Sequence, residues 1–179
     1  MENLHNLLVC RHSIRKYTDQ QVKPEDVQLI LEAALLSPTS KSSRSWQFIV
    51  VEDKGVLVRM SECKPAGAMP LKGCAFAVVV CADPAKSDAW IEDASIAAEM
   101  MQLQAADLGI GSCWIQIRDR YASDSTPSQE IIQELLEIPE TLPVVCVMTF
   151  GYPAEERRPV DTSKLLWEKV HVGTWKSAE

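Results

Sequence analysis

The segment that begins at Ser87 or Asp88 and runs to Leu108 most constrains what this chain can fold into. It is long enough for a helix of about six turns, is heavy in alanine and methionine, and is apolar almost all round. A helix with no polar face cannot lie on a wet surface, so it belongs in a core or at a subunit interface. Ser87 or Asp88 can cap its start, where Asp88, Glu92 and Asp93 favour the positive end of the dipole. Gly109 supplies the C-terminal stop. A short way upstream, Cys74 to Cys81 is nearly all apolar, the pattern of a strand covered on both faces.

The other elements arrange themselves around these two. Leu4, Leu7 and Leu8 suit a short helix over residues 3–11. Pro24 opens a second helix at its first turn, where a missing N–H costs nothing. Val27, Ile30, Leu31, Ala34 and Leu35 give that helix one buried stripe, and Ser37-Pro38 stops it. Trp46 to Val51 reads as a strand. Asp53-Lys54-Gly55 reads as a turn, Val56 to Cys63 as a short helix, and Lys64 to Gly73 as a loop. Ser112 to Ile117 is a further strand, Pro127 to Leu136 a helix and Val144 to Phe150 a last strand. Gly151-Tyr152-Pro153 closes this part, leaving a polar tail from Glu155 onward with Leu165, Leu166, Trp167, Val170 and Trp175 as anchors. The order describes a helix-rich α+β chain with about four buried strands, a single domain over residues 1–179. The tail carries too many large apolar residues to float free, so a neighbouring chain is a natural place for it to dock.

Composition removes several function classes. A net charge of -7 argues against nucleic acid, whose binding rests on clustered Lys and Arg. It leaves room for an anionic small molecule, which needs only two or three local cations. No run approaches the roughly 20 apolar residues of a membrane span. The start of the chain has no charged stretch leading into an apolar core, so a cytoplasmic protein is expected. None of the six cysteines forms a C-x-x-C pair, which favours reduced, buried thiols. The three histidines have no ligand spacing around them, so no metal site is expected. Gly109-Ile110-Gly111 follows a helix and precedes a strand, the reverse of the order that a dinucleotide fingerprint needs.

Two segments carry the chemistry. Arg11-His12-Ser13-Ile14-Arg15 places two guanidiniums four residues apart, with an imidazole and a hydroxyl between them, a compact site for an anion and for hydrogen bonds. Ser37 to Ser45 is dense in hydroxyls and lies just past a helix, where backbone amides are available. These two segments, the run Leu108-Gly109-Ile110-Gly111-Ser112-Cys113-Trp114 and the closing Phe150-Gly151-Tyr152-Pro153-Ala154-Glu155 occur in register along the chain. In that order they resemble the FMN-dependent nitroreductase family in one of its shorter forms.

The resemblance implies an α+β fold with a central, mainly antiparallel sheet flanked by helices and a C-terminal tail exchanged across a homodimer. It implies two FMN sites at the subunit interface and NADH or NADPH as hydride donor. Small acceptors such as nitroaromatics or quinones would take the electrons in a ping-pong cycle. By position, Arg11 and Lys164 would pair with the phosphate. His12 and Ser13 would hold the ribityl chain and ring edge, and Arg15 would lie near N1/O2. Pro38, Thr39 and Ser40 would reach in from the partner subunit, and Ser42 would belong to the cofactor site as well. Trp114, Gln116 and Ile117 would run beside the ring, with a backbone N–H near Gln116 directed at N5. The chain departs from the family where Ser42 replaces a frequent Asn, Arg44 a Gln, Ser45 a Pro and Ile117 a common Gly. The same fold also supports reductive dehalogenation, and an FMN-binding redox sensor with little turnover is the reading from another class.

Overall fold

The computed structural model describes residues 3–175. Four strands, β1 (Trp46–Val51), β2 (Phe76–Ala82), β3 (Gly111–Gln116) and β4 (Val144–Gly151), form one sheet in the order β1-β2-β4-β3. Every pairing is antiparallel. β2 and β4 are the inner strands, and every residue of both is buried. The apolar run of β2 therefore reports two covered faces, as its composition predicts, within an antiparallel sheet.

Alternation along β2 feeds two cores. Phe76, Val78 and Val80 point to one face, where Phe76 stacks on Phe150 at 4.9 Å. Ala77, Val79 and Cys81 point to the other, among Leu57, Met60, Ile115 and Ile132. On the first face lie α2 (Pro24–Leu35) and α5 (Trp90–Asp107), packed on each other. On the second lie α3 (Lys54–Met60), the single turn α4 (Pro70–Gly73) and α6 (Ser128–Leu136). A short α1 (Leu4–Cys10) packs on α5 at the near end of the chain.

α5 is the buried helix that the sequence demands, although it is not dry all round. Ala94, Ala97, Ala98, Met101 and Ala105 are sealed against the sheet, while Glu92, Ile96, Glu99 and Asp107 face outward. Its start is set by Ala89 as the capping position, with the Ser87 hydroxyl accepting the Ala89 N–H at 3.1 Å. At its end Gly109 takes φ +71°, the Ile110 N–H returns to the Ala105 carbonyl at 2.8 Å, and the Gly109 N–H returns to Ala106. That paired return satisfies the last carbonyls and turns the chain straight into β3.

Two local expectations shift. Asp53-Lys54-Gly55 is the first turn of α3 rather than a separate turn, because the Asp53 carboxylate accepts the Val56 N–H at 2.9 Å. Leu35 leaves the buried stripe of α2 and is exposed, as is Leu36 beside it. The tail leaves its apolar residues exposed on its own chain. Trp167 is 70% exposed and Trp175 80%, and Leu165, Leu166 and Val170 are exposed as well. Its first stretch is pinned by the Val160 N–H on the Val9 carbonyl at 2.9 Å, and two single 3-10 turns, Thr162–Lys164 and Trp167–Lys169, follow.

All six cysteines are free thiols, five of them buried. Burial pushes Cys74 and Cys81 up to about 12 from an ordinary 9.0, and raises Cys63, Cys113 and Cys146 as well. A thiol whose pKa is higher folded than unfolded contributes stability below its unfolded pKa and loses it as pH climbs toward the folded value. Stability should therefore be flat through neutral pH and fall between about pH 9 and 12. Urea unfolding at pH 7, 9 and 10.5 checks this, and an unchanged midpoint at pH 10.5 would contradict it.

Candidate functional site

The strand β3 lies at the edge of the sheet, and the segment from Arg11 to Tyr17 is laid against its open side. The Ile14 N–H donates to the Ser112 carbonyl at 2.9 Å, and Ser13 bridges Ser112 in parallel. This approach requires a glycine. A Cβ on Gly111 would stand 2.8 Å from Ile14 Cβ. The Tyr17 hydroxyl then locks the segment from behind, donating to the Ile14 carbonyl and meeting Thr149 Oγ1, both at 2.7 Å. Burial raises the Tyr17 phenol far above its ordinary pKa, so it stays neutral as the network requires. The Thr18 N–H on Tyr152 and the Ala154 N–H on Lys16 tie the same segment to the chain leaving β4.

The lashing leaves a cavity of about 230 Å³ at the C-terminal end of α5, lined among others by Arg11, His12, Gly109, Ser112, Glu155 and Arg157. Two guanidiniums thus face one space. Arg11 has Glu99 at 3.9 Å and Arg157 has Glu155 at 3.0 Å. Glu155 also accepts the Arg15 N–H at 3.3 Å, and the hydrogen bond from Arg157 holds its carboxyl below the usual range. His12 Nε2 is buried and finds no partner among the described residues. An unpaired buried nitrogen costs about 1–3 kcal/mol. Arg15 itself is exposed, with its guanidinium donating back to the Ser13 carbonyl.

The rest of the β3 edge is open. Ser112 and Gln116 both accept hydrogen bonds on their carbonyls from outside the sheet, from Ile14 and from Lys64 Nζ at 2.7 Å. Main-chain groups alternate sides along a strand, so the N–H groups of Trp114 and Gln116 face that same open side. The Gln116 side chain is fixed between Trp114 Nε1 at 2.9 Å and the Arg118 carbonyl at 2.8 Å. Ile117 is a correction. It is fully buried in the second core, its N–H turns inward to Val145, and its carbonyl takes the Arg120 N–H. Its β-branched side chain fills the core, and nothing of it reaches the edge.

The hydroxyl-rich loop sits elsewhere, at the N-terminal end of α5. Pro38 and Ser42 are exposed, and Thr39 and Ser40 are partly so. Thr39 Oγ1 accepts the Arg44 N–H at 3.2 Å. Asp93 and Ala106, which mark the two ends, are about 20 Å apart along the helix axis at 1.5 Å per residue. Among the described residues no hydrogen bond or ion pair joins the loop to Arg11–Arg15. Lys164 also stands apart, highly exposed and paired only with Asp161 at 3.4 Å.

Four residues of consequence carry no clear sequence signal. Arg157 lines the Arg11 cavity, and the basic pair in the tail is the only hint of it. Lys64 sits half-buried at the open edge, with desolvation lowering its pKa. Burial raises the Cys113 thiol, and the charges of Arg15 and Lys64 oppose that rise. Tyr17 and Asp93 act by fixing segments, and nothing in a single sequence distinguishes them from ordinary surface residues.

A family model described as "Nitroreductase family" matches residues 8–64 and 70–152. The chain belongs to the nitroreductase family. Among solved structures it is similar to an FMN-dependent nitroreductase from Clostridium difficile R20291, at 45% identity and a TM-score of 0.93, covering 96% of this chain and 99% of that one. It is also similar to an NADH dehydrogenase/NAD(P)H nitroreductase from Parabacteroides distasonis, at 31% identity and a TM-score of 0.87, covering 97% and 100%. A protein of the same description from Archaeoglobus fulgidus is 40% identical over 161 residues, 88% of this chain and 89% of that one. The four-stranded antiparallel sheet with helices on both faces is the nitroreductase fold.

The contact at Gly111 is directly testable. Gly111→Ala forces Ile14 off the strand, an overpacking cost of about 1–3 kcal/mol. Thermal unfolding should fall by several degrees, whereas Gly73→Ala, where nothing lies within 4 Å, should change little by comparison.

Proposed function

We propose that this nitroreductase-family chain binds FMN and works as an NAD(P)H-dependent oxidoreductase that reduces small oxidised acceptors such as nitroaromatics or quinones. The observation that carries this reading is the cavity that Arg11, His12 and Arg157 line together. Its two planar cations, which stay charged, fit a phosphate ester, and the Ser112 and His12 beside them fit a hydroxylated arm. At about 230 Å³ the cavity suits that arm, and the ring would lie beyond it on the open side of β3.

Bound FMN would supply the redox chemistry that links the nicotinamide donor to the second substrate. The residues supply position and charge. Arg11 and Arg157 hold the phosphate, and Lys164 joins them from the tail. His12 and Ser13 hydrogen-bond the arm. Arg15 and Lys64 set positive charge beside Trp114 and Gln116, where it favours an electron-rich ring in a partly dry site. The outward N–H of Gln116 offers a fixed donor there. No side chain is needed as a proton acceptor for hydride arrival, so none is assigned that role.

The reading also requires two copies. The loop carrying Pro38, Thr39, Ser40 and Ser42 lies at the wrong end of α5 to meet Arg11 in its own chain, and a second copy can bring it there. Exposed Leu4 and Leu8 on α1, Leu29, Leu35 and Leu36 on or beside α2, and Ile96 on α5 supply apolar surface for such a contact. The exposed tail residues and the apolar groove beside β1, lined by Leu31, Leu35, Trp46 and Phe48 among others, support exchange of the tail between copies.

Purified protein should be yellow, bleach when NADH or NADPH is added without oxygen, and regain colour with a quinone. A colourless chain that stays empty in excess FMN overturns the proposal, and a yellow protein indifferent to both nucleotides favours the sensor reading. Arg11→Ala and Arg157→Ala should each weaken FMN roughly 10- to 100-fold, the worth of one charged hydrogen bond of about 1.5–3 kcal/mol. Fluorescence titration measures this, and Lys164→Ala run beside them ranks the tail cation. Arg15→Ala should lower the flavin's reduction potential, by about 30 mV for each ~1.4 kcal/mol of charge stabilisation lost. Dye equilibration reads that shift. Removing residues 161–179 should convert a dimer to a monomer on a sizing column.

A further inference from the structure

Asp93 is a carboxylate on the first turn of a buried helix, 2% exposed, and it accepts three hydrogen bonds. Oδ1 takes the Ser40 N–H at 2.8 Å, and Oδ2 takes the Ser43 hydroxyl at 3.0 Å and the Ser87 hydroxyl at 3.2 Å. Two of the three donors belong to the hydroxyl-rich loop, 50 and 53 positions away in sequence. Nothing in the proposed chemistry uses this group, and a buried charge needs a reason.

The loop supplies one. Lys41, Ser42 and Arg44 all adopt positive φ, at 51°, 54° and 46°. No glycine eases the turn, and side-chain-bearing residues hold that region only where surrounding structure enforces it. The enforcement here is Asp93, gripping the loop at Ser40 and Ser43 on either side of the first two strained residues. Thr39 Oγ1 closes the remaining gap by accepting the Arg44 N–H. With its main chain fixed this way, the loop turns Pro38 and Ser42 outward, away from its own chain.

We propose that Asp93 is a positioning residue that sets the Pro38–Ser42 loop for contact with FMN held by a second copy of the chain. This rests on the FMN reading and adds to it the group that makes the loop's geometry specific. A carboxylate suits the task because it only accepts, and all three partners have a proton to give. An asparagine can keep Oδ1 on the Ser40 N–H and turn its amide toward the two hydroxyls, which reverse to accept. Alanine loses all three bonds.

The test uses the full-length protein with FMN as the probe, comparing wild type, Asp93→Asn, Asp93→Ala and Ser43→Ala. FMN affinity comes from fluorescence titration, backbone exchange from mass spectrometry, and assembly from a sizing column. Asp93→Ala should weaken FMN at least tenfold and lose exchange protection over residues 38–44 while the strands keep theirs. Asp93→Asn should recover part of both, and Ser43→Ala, which removes a single arm, should weaken FMN about threefold even if Asp93→Ala fails to fold. Affinity within twofold of wild type in both Asp93→Ala and Ser43→Ala overturns the proposal. So does a loss of protection spread evenly over the sheet, which would mark Asp93 as a general support of the fold. A wild-type chain that takes up no FMN overturns the functional reading itself and this role with it.

Discussion

The candidate site depends on one close approach, the Ile14 main chain lying on Gly111 and Ser112 at the edge of β3. That contact converts a flexible basic segment into a wall of a cavity. Without it, Arg11 and Arg15 would be two solvated cations, and surface ions of that kind contribute little. The approach is possible because α5 ends in a glycine-assisted return and releases the chain directly into the strand. Tyr17 keeps the segment in place by reaching across to Thr149 on β4, the strand that anchors the sheet. The site is therefore built on the most buried strands of the molecule, although its own residues are partly exposed.

Charge is distributed to the same end. The chain is acidic overall, yet Arg11, Arg15, Lys64 and Arg157 stand along one strand edge and its cavity. Glu99 and Glu155 partly neutralise two of them, so the segment can fold without a ligand and still offer cations to one. An arriving phosphate would displace Glu99 from its long 3.9 Å contact with Arg11 and compete with the Glu155 hydrogen bond to Arg157 at 3.0 Å. This arrangement favours reversible anion binding over a fixed internal ion pair.

The sequence made the large elements legible because burial leaves a pattern. β1 spans Trp46–Val51 as its aromatic and β-branched run predicts, and the apolar stretch of β2 is sealed on both faces. The start of α5 is less legible than its end at Leu108 and Gly109, since it is set by a backbone capping position and a neighbouring hydroxyl. Arg11 and His12 could be singled out from their spacing, and they do share a cavity. For the Arg157-Arg158 pair the sequence leaves open whether either joins a phosphate site, because a tail arginine that faces solvent and one that faces a cavity look alike in sequence. Ile117 shows the opposite limit. It directly follows the edge residue Gln116, and only the alternation of the strand decides that its side chain and N–H turn inward.

The separation along α5 has a consequence for how such a chain can be complete. The helix is rigid, and its two ends carry the two polar segments about 20 Å apart. No rotation of side chains closes that distance, and bending a helix packed against all four strands would break the core that holds it. A ligand that needs both segments must therefore lie between copies, with the helix acting as a spacer that sets which loop meets which cavity. Under the proposed reading, the apolar surface on α1, α2 and the tail, with Ile96 turned outward on α5, would be where two copies meet to complete the site.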